Sequence, residues 1–142
     1  MPRTRERVAP LGLRVLVVED EVLLRWSVTQ ALRAGPHTVI EASDAQSALR
    51  LLRRAGPPID VVLLDYRLPD SQDLRVLSEV RQTSPRSAVV MMTAFDAPEI
   101  VAEAMALGAY AVLGKPFEID RLEPLLLRAH VARFELGAAP GA

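Results

Sequence analysis

The chain has 142 residues, half of them apolar and a quarter charged, which suits one soluble domain with a full hydrophobic core and leaves no room for a second of ordinary size. Seventeen basic residues face eighteen acidic ones for a formal charge of −1, so composition gives no electrostatic case for a general nucleic-acid binder. The absence of cysteine excludes disulfides, thiolate metal sites and thiol catalysis, and no apolar run approaches the roughly 18 residues of a membrane span; a cytoplasmic location is expected.

Residues 1–13 carry Arg3, Arg5, Arg7, Pro2 and Pro10 without apolar periodicity or the apolar stretch of a signal peptide, and read as a disordered basic arm. The folded domain is expected over residues 14–136. Its first apolar run is Arg14 to Val18. In the helix that follows, Leu24, Val28, Ala31 and Leu32 share one face, and Ala34-Gly35-Pro36 supplies a stop. Trp26 lies about 200° around that helix from Leu24, so it should point outward with Val22, its neighbour one turn back. The second run, His37 to Glu41, leads into a helix with capping-box spacing at Ser43 and Gln46 and an end at Gly56-Pro57-Pro58. The third, Asp60 to Leu64, precedes a helix predicted over 71–82 on Leu74, Leu77 and Val80. The fourth, Ala88 to Met92, precedes one with capping spacing at Asp96 and Glu99 and punctuation at Gly108. The fifth, Tyr110 to Leu113, precedes a last helix over about 120–134, with Pro124 tolerable in its first turn. Residues 137–142, rich in Gly, Ala and Pro, read as a flexible tail.

Near-continuous apolarity in such short runs is what strands buried on both faces of a parallel sheet require. Five strand–helix units in series predict an α/β sandwich with right-handed crossovers and helices on both faces. Ligands of such sheets bind outside the carboxyl ends of the strands. There the chain places Glu19, Asp20 and Glu21 after the first strand, Asp65 after the third, Thr93 after the fourth and Lys115-Pro116 after the fifth. Lys115 is the only lysine among seventeen basic residues. Singly, an acidic pair suits a helix N-terminus, a threonine an N-cap and a lysine the surface. Together, oxygen-only carboxylates suit a hard cation such as Mg2+, an Asp beside it can be a nucleophile toward phosphorus, and the hydroxyl and ammonium are donors for phosphoryl oxygens.

The stretches VLVVEDE at 15–21, VVLLDYRLPD at 61–70, VVMMTAFD at 89–96 and GAYAVLGKPF at 108–117 resemble the receiver domain of two-component response regulators, in wording closest to receivers of nitrogen-regulation-type activators. The resemblance implies a flavodoxin-like (βα)5 doubly wound fold with strand order 2-1-3-4-5. It implies Asp65 as phosphoacceptor, Thr93 as switch hydroxyl and Lys115 as phosphate-binding residue. It also implies an Mg2+ site of Glu19, Asp20, Asp65 and the Arg67 backbone carbonyl, with Asp20 a direct ligand and Glu19 acting through water, and a cis Lys115-Pro116 bond. On this reading the chain accepts a phosphoryl group from a histidine kinase or histidine phosphotransfer protein and switches partner binding or oligomerisation. It catalyses only its own phosphorylation and slow dephosphorylation and is not otherwise an enzyme. Val22 and Trp26 become candidates for kinase docking. The analogy also offers a homodimer through the fourth helix, fifth strand and fifth helix, an unidentified effector protein as partner, and neither direct nucleic-acid nor membrane binding.

Three departures from the family pattern bear on switching. Asp73 replaces a common glycine after the phosphorylation loop, Val112 replaces a switch aromatic, and Ala111 and Gly114 leave the segment before Lys115 sparer. Tyr110 is expected on the same sheet face as Val112. These changes admit a constitutive docking receiver with little phosphorylation-dependent switching. Arg67 and Phe95, each two residues beyond a site residue, are candidates for shielding a phosphoryl group from water. An Asp-nucleophile phosphatase of the haloacid-dehalogenase type would need a second Asp where Arg67 stands, and a nucleotide-binding module would need a glycine-rich loop that no strand here precedes.

Overall fold

The apolar runs form five strands, and Val61–Asp65 and Ala88–Thr93 are buried at every residue, as a sheet covered on both faces demands. The computed structural model describes residues 12–94 and 97–138, with side chains to residue 133. The elements are β1 (Arg14–Val18), α1 (Val22–Arg33), β2 (Thr38–Ala42), α2 (Ala45–Arg53), β3 (Val61–Asp65), α3 (Arg75–Thr83), β4 (Ala88–Thr93), α4 (Pro98–Ala106), β5 (Ala111–Gly114) and α5 (Leu122–Ala138), the last entered through a 3-10 turn at Ile119–Arg121. All pairings are parallel, in the order β2-β1-β3-β4-β5 that the resemblance implied.

Two apolar layers flank the sheet. Val28 and Leu32 of α1 and Leu122, Leu126 and Ala129 of α5 close on Val15, Val17, Leu63, Val90 and Met92. On the other face Ala48 and Leu49 of α2, Val76, Leu77 and Val80 of α3 and Ala104 of α4 meet Leu16, Val18, Leu64 and Met91. Alternate residues of one strand thus feed opposite layers, which locks register: a one-residue slip would swap the two sets. Among the described residues no helix is long and apolar enough to cross a membrane.

Several boundaries differ from the sequence reading, each for a local reason. Leu13, assigned to the arm, is buried; its carbonyl accepts from Thr38 and its N–H donates to Nδ1 of the buried His37. With Nδ1 an acceptor, the His37 Nε2–H is left to donate to Glu123 Oε2, which ties the start of the domain to α5. The α2 cap is Asp44, whose carboxylate accepts from Ser47 N at 2.7 Å, rather than the Ser43–Gln46 pair. Helix α3 starts at Arg75 instead of residue 71 because Leu68 and Ser71 exchange backbone hydrogen bonds in a tight turn, and Asp73 then accepts from Arg75 N at 2.9 Å. No described non-glycine residue has positive φ, so Asp73 stands here without the left-handed backbone that favours glycine. Helix α4 begins behind Ala97 with Pro98 in its first turn and has no side-chain cap there; Asp96 lies outside the described residues. The last helix continues to Ala138, beyond the expected end at Phe134 and into the expected tail. Residues 1–11 of the expected arm and 139–142 of the tail lie outside the described residues. Gly108 has φ +108, a backbone that a side chain disfavours, and Arg81 lies against its open face.

Candidate functional site

Sheet register brings the polar strand ends together. Val18 pairs with Leu64 and Asp65 with Met92, so Glu19 and Asp20 emerge beside Asp65, while Thr93 pairs with Gly114, immediately before Lys115. Lys115 N donates to Thr93 O at 2.7 Å, extending the β4–β5 ladder by one residue, and the Lys115-Pro116 bond is cis, as expected. Carboxylate oxygens of Glu19, Asp20 and Asp65 lie within 4.8 Å of one another. The Lys115 ammonium enters this cluster, with Nζ 2.9 Å from Glu19 Oε1 and 3.1 Å from Asp65 Oδ1.

Glu19 is deeply buried and fully engaged: Oε1 accepts from Lys115, Oε2 from Glu21 N at 3.0 Å, and its carbonyl from Arg25 Nη1 at 2.7 Å. Arg25 in turn pairs with Glu41 on β2 at 3.1 Å. Asp20 is exposed at the rim, and Thr93 is buried at the end of β4. Burial pushes Asp65 up from 3.8 to about 6; the Glu19 carboxylate adds to the rise and Lys115 opposes it. For Lys115 burial acts to lower the ammonium, but the hydrogen bond to Glu19 and the Asp65 charge outweigh it and hold the residue above its ordinary value.

One ammonium among three carboxylates leaves negative charge uncompensated, and among the described residues no histidine or cysteine joins the carboxylate cluster. Among the described residues this all-carboxylate donor set fits a hard divalent cation and does not suit a softer transition metal.

The family described as response regulator receiver domain matches residues 15–126. The chain belongs to the response regulator receiver family. TcrX of Mycobacterium tuberculosis H37Rv is 39% identical over 128 residues, which cover 87% of this chain and 54% of TcrX. NtrC of Escherichia coli K12 is 33% identical over 115 residues, covering 81% of this receiver and 24% of that protein. Among solved structures, the receiver domain of NtrX from Brucella abortus superposes with a TM-score of 0.74 at 35% identity, covering 82% of this chain and 98% of that one. A CheY-like receiver from Methanospirillum hungatei reaches a TM-score of 0.81 at 22% identity, covering 89% and 100%, and supports the fold alone. The chain spans about half of TcrX and a quarter of AtoC, another relative in E. coli.

Of the flanking positions named from sequence, Arg67 is exposed on the β3–α3 loop and Phe95 lies outside the described residues. Val22 and Trp26 point outward as expected, at 64% and 59% exposure. Leu23, which the helical face argument did not single out, is more exposed still at 74%, so the α1 tip is an apolar patch of three. The expectation for Tyr110 is corrected: it packs with Leu113 on the α1–α5 layer, whereas Val112 packs on the opposite one. Tyr110 sits in a bend immediately before β5, although its N–H already donates to Val89 O at 2.7 Å. Sequence reading also passed over Arg25 and Asp70. The latter caps a helix 25 residues away in the chain, a contact with no local signature.

Proposed function

We propose that this receiver takes a phosphoryl group from the phosphohistidine of a histidine kinase or histidine phosphotransfer protein onto Asp65, in a Mg2+-dependent reaction, and so changes its affinity for a partner or for a second copy of itself. The carrying observation is the buried Asp65 carboxylate held 3.1 Å from Lys115 inside a carboxylate cluster at the carboxyl edge of the sheet. An Asp65 oxygen forms the new O–P bond as the N–P bond of the donor breaks, and the donor's imidazole, already protonated on its other ring nitrogen, keeps the electron pair and leaves neutral. Lys115 and the Thr93 hydroxyl are the side chains suited to donate hydrogen bonds to the transferred oxygens. Glu19, Asp20, Asp65 and the Arg67 carbonyl would hold Mg2+, which when bound supplies positive charge to the phosphoryl oxygens. The engagement of both Glu19 oxygens supports its action through water, and the open position of Asp20 supports direct ligation.

Arg67 is offered as a brake on hydrolysis, and the Val22, Leu23, Trp26 patch as the surface that meets the kinase; an apolar cluster beside a reaction site is a reasonable docking point. Relatives carrying names such as DNA-binding transcriptional regulator NtrC weigh against the expectation of no nucleic-acid partner, and effector and DNA contacts of the whole protein belong with this proposal. A second reading, constitutive docking, draws on Val112: it offers no ring to turn, and Tyr110 packs on the wrong layer to substitute. Incubation with acetyl phosphate and MgCl2, read by intact mass, tests the chemistry; absence of a modification that depends on Asp65 refutes it. Partner binding and oligomeric state with and without beryllofluoride separate the two readings, since a constitutive module shows no change.

A further inference from the structure

The β3–α3 loop, which begins at the phosphoacceptor, is fastened to a helix that contributes nothing else to the site. Asp70 Oδ1 accepts from Ala45 N at 2.8 Å and Asp70 Oδ2 from Gln46 N at 3.0 Å, so one carboxylate takes two of the backbone donors that the α2 N-terminus leaves without intrahelical partners. Asp44 takes a third, Ser47 N, from within the helix's own segment. Two carboxylates thus divide the same helix end, one local and one from the loop. Charge-assisted bonds of this kind are strong for their length, and the pair of them restricts both the position and the rotation of Asp70.

The link is short on its other side as well. Leu68 N donates to Ser71 O at 2.7 Å and Ser71 N to Leu68 O at 3.1 Å, which closes residues 68–71 into a turn with Asp70 at its tip. Leu68 is itself buried in the core, and Tyr66 N donates to Met92 O at 2.8 Å. Arg67 therefore sits between two anchored points, with the Asp70 clamp just beyond them.

We propose that Asp70 is a positioning residue: by clamping the loop to the first turn of α2, it sets where the Arg67 carbonyl stands relative to Asp65 and Asp20, and so tunes metal affinity without touching the metal. This rests on the Mg2+-dependent reading above. Groups that orient ligands commonly change metal affinity by tenfold or more when removed. The coupling is reciprocal, so whatever draws the Arg67 carbonyl toward the cluster also tightens the Asp70 bonds to α2.

The test uses the full chain as wild type, Asp70→Ala, Asp70→Asn and Asp44→Ala, titrated with MgCl2 by calorimetry and assayed for acetyl phosphate uptake at low and saturating Mg2+. Asp70→Ala should bind Mg2+ roughly tenfold more weakly and take up phosphate slowly at low Mg2+ but normally at saturation. Asp70→Asn, which keeps one acceptor, should fall between. Asp44→Ala loses a cap from the same helix but not the loop clamp, and should bind Mg2+ as wild type does. Wild-type affinity in Asp70→Ala overturns the proposal, and so does an equal loss in Asp44→Ala, which would mean that α2 stability alone is at work. A wild-type chain that binds no Mg2+ overturns the functional reading and this proposal together, an outcome distinct from the other two.

Discussion

Replacing Asp65 with Asn should stabilise the metal-free protein by an amount that grows with pH. Burial, and after it the Glu19 carboxylate, raise Asp65 from 3.8 to about 6 in the folded chain. Between those values the folded chain keeps a proton that the unfolded chain has released. The stability this provides is fully present below about pH 4 and is lost as pH rises through about 6. A shift of about two units at about 1.4 kcal/mol each puts the cost of the ionised group at about 3 kcal/mol. That is a sizeable share of a total stability on the order of 5–15 kcal/mol. Asn keeps the shape and an oxygen that can accept from Lys115, and removes the charge. Asp65→Asn should therefore gain up to about 3 kcal/mol near pH 8 and little near pH 4. Urea denaturation in EDTA across this range measures the difference. Added MgCl2 should stabilise the wild type more than the variant and narrow the gap at high pH, because a ligand bound only by the folded state adds to stability. A difference that does not vary with pH, or an Asp65→Asn protein less stable than wild type near pH 8, would refute the reasoning.

Gly108→Ala should cost roughly 1–3 kcal/mol in the same urea assay, since φ is +108 and the new methyl would stand 2.5 Å from Arg81 Nε; adding Arg81→Ala should recover only the steric part. Lys115→Arg keeps the charge but replaces a compact ammonium between Glu19 and Asp65 with a planar fork, and should slow acetyl phosphate uptake at least roughly tenfold; uptake at the wild-type rate would mean that the only lysine is there by codon bias. Val22→Ser with Trp26→Ser should leave the thermal midpoint and acetyl phosphate uptake nearly unchanged while slowing transfer from a phosphorylated kinase, because both side chains are already in water; equal transfer rates would remove the α1 tip as a docking surface. Arg67→Ala should shorten the half-life of the phosphorylated protein, followed by loss of mass after the donor is removed; an unchanged half-life would count against shielding.

Much of this protein is legible in one dimension because its determinants are local. The apolar runs found in the sequence overlap all five observed strands to within a residue at either end, and the fully covered β3 and β4 are buried at every residue. The position of the candidate site residues follows from the same pattern: polar residues just after the apolar runs stand at the carboxyl edge of the sheet, as Glu19, Asp20, Asp65, Thr93 and Lys115 do. Periodicity likewise put Trp26 and Val22 outside.

What tertiary structure decided were the contacts between segments distant in sequence. Lys115 shares its ammonium between Glu19 and Asp65, and the rise of Asp65 toward 6 comes from burial by the surrounding fold, which no neighbouring residue in the chain reveals. Leu13 belongs to the domain because His37 and Thr38 meet it, and α3 starts late because the Leu68–Ser71 turn and Asp73 compete with the helix for its first residues. Tyr110 and Val112 pack on opposite layers, which strand alternation alone does not foretell. Asp70 caps a helix that lies earlier in the chain, 25 residues back, with no local motif to announce the contact. Propensity and pattern act over a few residues, and they set the elements and their order. The charge balance of the site and the clamp on its loop arise where those elements meet, and depend on distances that only the folded chain defines.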